Sequence, residues 1–214
     1  MTTAFPKIIW QTHNHKKEWL PDYLKFIAAT WINLNPGWDY RYVDQVERDR
    51  KVSEYPEIYK IYKYLLPIPQ SDIWRYIVTY EEGGCYADMD SVCSKPLDYM
   101  LEGIQGDPEM IVVPESNGMG NNHNFITKPN TTIMQSVINQ IGSYPQSSYL
   151  LEFVHTVYSQ DLNVSKLFTA SSHSMDYKEN FLYKEHIINY YGKEMKYIDF
   201  LKQHELNLKM EDWG

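Results

Sequence analysis

At 214 residues, with 43% hydrophobic and 22% charged side chains, the chain is long enough for one sizeable α/β domain and too apolar for a disordered polymer. A formal net charge of −8 argues against non-specific nucleic-acid binding, which needs a basic surface, but leaves room for a nucleotide site in which a divalent ion supplies positive charge. Cys85 and Cys93 lie too close together for a disulfide framework and read as free thiols in a reducing compartment. The first residues carry no signal peptide and no apolar run reaches membrane-span length, so a cytoplasmic location is expected.

Phe5 to Thr12 is a short apolar run introduced by Pro6 and reads as a buried parallel strand. Trp10, Gln11 and Thr12 fall at its carboxyl end, where open α/β sheets bind ligands. His13, Asn14, His15, Lys16 and Lys17 form a polar loop. Glu18 to Asn35 is an amphipathic helix with Leu20, Leu24, Ile27, Trp31 and Leu34 on one face, closed by Asn35-Pro36-Gly37. Trp38 to Asp44 is a second strand, and Asp44 suits either a ribose contact or the cap of the next helix. Glu47 to Leu66 has a helical pattern around Pro56 and is broken by Pro67-Ile68-Pro69. Ser71 then reads as an N-cap, with Asp72 in the first helical turn and Arg75 three residues on, on nearly the same face. Met110 to Glu115 is a further core strand, 117–124 a Gly/Asn-rich loop, Phe125–Thr127 a short strand, and Thr131 to Tyr144 another amphipathic helix.

The stretch Gly83-Gly84-Cys85-Tyr86-Ala87-Asp88-Met89-Asp90 organises the rest. A helix stops at glycine, a short apolar strand follows, and two carboxylates stand either side of one residue. Alternate residues of a strand share a face, so Asp88 and Asp90 project together or straddle the strand end. Two hard anionic ligands suit Mg²⁺ or Mn²⁺ and leave coordination positions open for a diphosphate. By itself Asp-x-Asp is a weak motif that also occurs in solvated turns.

The flanks make it specific. Asp72, Arg75, Gly83, Gly84, Tyr86, Asp88 and Asp90, with Asp88 sixteen positions after Asp72, closely resemble the signature of the DXD-containing sugar transferase family. That family includes fungal Golgi mannosyltransferases and the glucosyltransferase domains of large clostridial toxins. The size and the missing amino-terminal anchor also resemble capsid-glycosylating enzymes of large algal viruses. The resemblance implies that Asp72 binds sugar hydroxyls, that Arg75 holds sugar or diphosphate, and that Trp10 stacks on a uracil base while backbone groups near Gln11 and Thr12 read its edge. It places Asn121, Asn122 and Asn124 near donor and acceptor. It leaves the third metal ligand between His186 and Asn189, and gives Trp213 the role of a closing-loop aromatic.

The expected fold is therefore a single glycosyltransferase-A-like α/β domain over 1–214: a Rossmann-like half for nucleotide-sugar and metal over 1–100, an acceptor-binding half over 101–214, and a mixed central sheet flanked by helices. The expected activity is transfer of a hexose or deoxyhexose from a nucleoside diphosphate sugar, with uridine favoured by Trp10, to a glycan or glycoprotein hydroxyl with retention of configuration. Asp72, Arg75 and Asp90 are the catalytic candidates. Trp10, Gln11, Thr12, Asp72, Arg75, Tyr86 and Asp88 bind the donor, and Asp88 and Asp90 hold Mn²⁺ or Mg²⁺. Two other readings remain: a metal-dependent phosphohydrolase or nucleotidyltransferase, and a non-catalytic carbohydrate-binding module. The chain may also be one domain of a longer polypeptide.

Overall fold

In the computed structural model, the structure describes residues 4–102, 104, 107–114, 120–143, 187–190, 193–196, 199 and 203. Five strands make the central sheet: β1 (Ile8–Thr12), β2 (Asp39–Val43), β3 (Gly84–Ala87), β4 (Met110–Pro114) and β5 (Gly120–Thr127), in the order β2-β1-β3-β5-β4. β2, β1 and β3 run parallel, whereas β5 is antiparallel to both β3 and β4. The sheet is thus Rossmann-like in its first half and mixed overall. Helices α1 (Asp22–Leu34), α2 (Gln45–Val52), α3 (Pro56–Tyr62), α4 (Pro67–Glu82), α5 (Leu97–Glu102) and α6 (Thr132–Ser143) cover it. A separate hairpin pairs β6 (Ile187–Tyr190) with β7 (Lys193–Lys196).

Strand alternation sorts the core into two layers. Trp10, Tyr86, Val112 and Phe125 face Ile58, Trp74, Ile77, Ile133 and Val137 on α3, α4 and α6. Ile9, Cys85, Ala87, Ile111 and Ile126 face Leu24, Ile27, Trp31 and Met100 on α1 and α5. β1 and β3 bury both faces, which is why they read as continuous apolar runs, whereas the edge strand β2 is only partly covered. Each fully buried Ile or Phe among them contributes about 1.5–3 kcal/mol.

The helix boundaries depart from the sequence pattern in two places. Pro56 splits the expected 47–66 helix into α2 and α3, taking a position in the first turn of α3 where its missing N–H costs nothing. Pro67-Ile68-Pro69 opens α4 instead of breaking the chain, for the same reason. Ser71 is therefore inside the helix, donating its hydroxyl to the Ile68 carbonyl at 2.7 Å, and the N-cap is Leu66. Asp72 sits in the second turn and is buried along with Ile73 through Thr79, because α2, α3 and α6 pack around this helix.

One further segment departs from the sequence pattern. Gly120–Thr127 is one continuous strand where a loop and a short strand were expected. After the Asp-x-Asp segment, the chain makes only a bridge at Cys93 and then enters α5. Asn35 holds that start: its side chain accepts from the Leu97 N–H at 2.6 Å and donates to the Trp31 carbonyl at 2.9 Å.

The Gly-Gly pair follows from crowding between strands. Gly83 has φ +67° and a Cβ there would lie 2.8 Å from the Thr127 carbonyl oxygen; Gly84 has φ +99° and its Cβ would lie 2.7 Å from the Ile8 carbonyl oxygen. Only glycine lets the chain turn from α4 into a strand wedged between β1 and β5.

Candidate active site

The parallel strands bring Thr12, Val43 and Ala87 to one edge of the sheet, the edge at which ligands bind in open α/β folds. The chain leaves β3 at Ala87 and turns at once. The Asp88 N–H donates to the His123 carbonyl on β5 at 2.8 Å, and the Ser91 N–H donates to the Asp88 carbonyl at 3.0 Å. Asp88 and Asp90 therefore straddle the strand end, on a turn spanning 88–91.

The Asp88 carboxylate is held from three sides. One oxygen accepts from the Tyr86 hydroxyl at 2.7 Å and lies 3.3 Å from an Arg75 nitrogen; the other lies 3.3 Å from His123 Nδ1. Burial opposes its ionisation, but the Arg75 charge and the His123 hydrogen bond prevail and keep the carboxyl below its usual range. Burial would lower His123, yet the bond to Asp88 and the charges of Asp88 and Asp90 raise it above its ordinary value.

Arg75 reaches this turn from α4 and is only 4% exposed. It pairs with Asp72 at 2.7 Å, donates to the Asn122 carbonyl at 2.6 Å, and lies over the Tyr86 ring at 4.3 Å. Asn122 in turn donates to the Tyr76 hydroxyl at 3.2 Å. Helix spacing puts Asp72 and Arg75 side by side, and β5 brings Asn122 and His123 to meet them. Arg75 is therefore held by protein partners and acts first as the strut between α4, β3 and β5.

Three carboxylates (Asp72, Asp88 and Asp90) meet at this corner around the Arg75 guanidinium. The hard oxygen donors of Asp88 and Asp90 on an edge turn fit a divalent cation of the Mg²⁺ or Mn²⁺ type. Two buried polar atoms here, Arg75 Nε and Asn124 Oδ1, have no hydrogen-bond partner in the described structure. Among the described residues, no three His, Cys, Asp or Glu side chains are grouped to hold a metal. His186, Trp213 and the Asn189 and Asn121 side chains lie outside the described residues.

Other expectations change. Trp10 is 4% exposed; its indole N–H donates to the Gly83 carbonyl at 2.9 Å, its ring meets Trp74 edge-on at 6.0 Å, and the Arg41 guanidinium lies 4.8 Å from its centroid. The ring is a core element rather than a face offered to a base, because strand alternation turns it under α4. Thr12 is also occupied: its hydroxyl donates to the Val43 carbonyl and accepts from Arg48, both at 2.7 Å. Asp44 is a helix cap, since its carboxylate accepts from the Glu47 N–H at 3.0 Å while Glu47 accepts from the Asp44 N–H at 3.2 Å. His13 Nδ1 accepts from the His15 N–H at 3.2 Å; burial, His15 and Arg48 together lower its pKa to about 4. An open cleft of about 400 Å³ at the ends of β1 and β2 is lined by Lys16, Lys17, Glu18, Tyr42, Asp44 and Glu47. His123 was not anticipated, because its place beside Asp88 depends on the pairing of β5 with β3 across more than thirty intervening residues.

A mixed sheet with a parallel β2-β1-β3 half and a paired-aspartate turn at its carboxyl edge defines the class as a glycosyltransferase-A-like α/β fold. Residues 21–107, which include Asp72, Arg75, Asp88 and Asp90, match the family model described as glycosyltransferase sugar-binding region containing DXD motif. The chain is similar to the initiation-specific alpha-1,6-mannosyltransferase of Candida albicans, with 34% identity over 103 residues covering 44% of this chain and 26% of that protein. It is also similar to inositol phosphoceramide mannosyltransferase 3 of Schizosaccharomyces pombe, with 28% identity over 143 residues covering 64% and 38%. It therefore spans about a quarter to two fifths of the length of these relatives. The solved structure PaToxG Glycosyltransferase superposes with a TM-score of 0.57 at 14% identity, covering 79% of this chain and 74% of that one, a likeness of fold. No helix among the described residues is long and apolar enough to cross a membrane.

Proposed function

We propose that the chain transfers a hexosyl group from a nucleoside diphosphate sugar to a hydroxyl of a glycan or glycoconjugate, using a divalent cation held by Asp88 and Asp90. The observation that carries this reading is the corner at the carboxyl end of β3, where Asp88 and Asp90 sit on one turn inside the matched DXD region. When bound, the cation would supply Lewis-acid charge to the departing diphosphate. The residues of the chain supply placement. Arg75 holds Asp72 and Asp88 in register and keeps Asp88 ionised, His123 fixes the second oxygen of Asp88, and Asn124 offers a buried acceptor oxygen to a sugar hydroxyl. Mannose is the first donor sugar to test, since both relatives above are named mannosyltransferases. With Trp10 in the core the preference for uridine loses its support, and UDP and GDP become the two arms of the test. Retention of configuration, by front-face attack assisted by the leaving phosphate, belongs to the same reading, and an inverted product anomer by NMR would sink it.

The test is a thermal-shift titration with UDP and with GDP, each with and without Mn²⁺, on wild type and Asp90→Ala. A ligand that binds only the folded state raises its stability by mass action. A shift that needs Mn²⁺ and vanishes in Asp90→Ala is the expected result, followed by turnover of the matching nucleoside diphosphate hexose. No shift with either nucleotide at millimolar concentration overturns the proposal.

A further inference from the structure

Gln11 is the most enclosed polar side chain near the site, with no solvent exposure, and none of the roles above uses its amide. It lies on β1, one strand away from the Asp88 turn. Its Nε2 donates to the Asp88 carbonyl oxygen at 3.0 Å, and its Oε1 accepts from the Tyr40 hydroxyl of β2 at 2.9 Å. The Asp88 carbonyl, which can only accept, fixes which end of the amide faces β3, because only the nitrogen end has hydrogens to give, and the Tyr40 hydroxyl holds the other end. The Asp88 backbone is consequently pinned at both ends: its N–H by His123 of β5, and its carbonyl by Gln11 of β1 together with the Ser91 N–H. The peptide that leaves Asp88 leads directly to Met89 and Asp90, so a carbonyl held in place sets where the second carboxylate of the pair points.

We propose that Gln11, oriented by Tyr40, is a positioning residue for the paired-aspartate turn and sets its affinity for a divalent cation. The inference rests on the metal reading above. Outer-shell hydrogen bonds that orient metal ligands are worth about 10- to 100-fold in metal affinity. Gln11→Met keeps the volume of the buried side chain and removes both hydrogen bonds. Gln11→Glu replaces the donor with an acceptor facing the Asp88 carbonyl oxygen. Tyr40→Phe keeps β1 untouched and removes only the hydroxyl that orients the amide.

The experiment is direct Mn²⁺ binding to the full chain, read from the loss of the free-ion EPR signal, with UDP or GDP present and absent, beside a thermal melt of each variant. Asp90→Ala is the control for the metal site. Expected are Mn²⁺ affinities about 10- to 100-fold weaker in Gln11→Met and Gln11→Glu and a smaller loss in Tyr40→Phe, with Tyr40→Phe still melting cooperatively near the wild type. If Gln11→Met melts far below wild type, Tyr40→Phe alone decides. Unchanged Mn²⁺ affinity in the folded variants, with the metal still lost in Asp90→Ala, overturns the positioning role and leaves the metal site standing. Failure of the wild type to bind Mn²⁺, or equal binding by Asp90→Ala, overturns the metal reading and this inference together.

Discussion

The two ends of the candidate site are built in opposite ways. Around Asp88, the side chains of α4, β3 and β5 pair closely with one another: Arg75 is 4% exposed, its partner Asp72 has a side chain 8% exposed, and Tyr86 and Asn122 join the network. At the ends of β1 and β2 the cleft is lined by lysines, glutamate and a capping aspartate in contact with solvent. The first region resists reorganisation, since a buried charge network is stable only when complete. The second offers a ligand little until it arrives. The paired-aspartate turn is thus placed where the fold is least able to move, and the cleft lies at the more exposed edge.

The largest expected effect comes from breaking the closed end. Arg75→Ala leaves the buried Asp72 and the partly buried Asp88 carboxylates without their shared cation, and should cost about 3 kcal/mol by chemical denaturation. A loss under about 1 kcal/mol would mean that water reaches these carboxylates and the network is not closed. Next is the hinge beneath it. Gly84→Ala places a Cβ 2.7 Å from the Ile8 carbonyl oxygen at φ +99°, and the strain should cost about 2–3 kcal/mol. Neutral behaviour of that variant would show that β3 can slide relative to β1.

A smaller effect lies at the open edge and depends on pH. His13 has a folded-state pKa of about 4 against an ordinary value of 6.5, since burial, His15 and Arg48 disfavour its charge. The unfolded chain binds this proton more readily, so the stability from neutral His13 is complete above about pH 6.5 and is lost as the pH falls from there to about 4. Allowing for its partial exposure, the loss should be about 1–2 kcal/mol. Comparing denaturation midpoints at pH 7 and pH 4.5 in wild type and His13→Gln isolates it from the carboxylates. Equal pH dependence in the two proteins would remove His13 as the cause.

How far the sequence reached follows the same division. Asp72, Arg75, the two glycines and the two aspartates lie within nineteen consecutive positions, and helix spacing or strand alternation alone relates them, so they were legible. The alternation of Ile9 and Trp10 was also visible, but which of the two layers Trp10 joins depends on where α4 packs, and that put its ring in the core instead of under a base. His123 and the Gln11 amide act through pairings between distant strands, for which no local pattern exists. Pro67 and Pro69 misled because proline punctuates a helix from either side: the same missing N–H that ends one helix is harmless at the start of the next.

Asp44 gives the smallest and sharpest test of the open edge. The sequence allowed it a ribose or a cap, and the structure gives it both halves of a capping box with Glu47. Asp44→Ala removes the acceptor for one orphan N–H at the start of α2 and should cost about 1 kcal/mol, whereas Asp44→Ser retains an acceptor and should recover most of it. If the cap is its whole role, neither variant should change the Mn²⁺-dependent thermal shift produced by UDP or GDP. A nucleotide affinity that falls in Asp44→Ser while stability is kept would mean that the carboxylate also serves a ligand, and that the open edge is where the nucleoside is recognised.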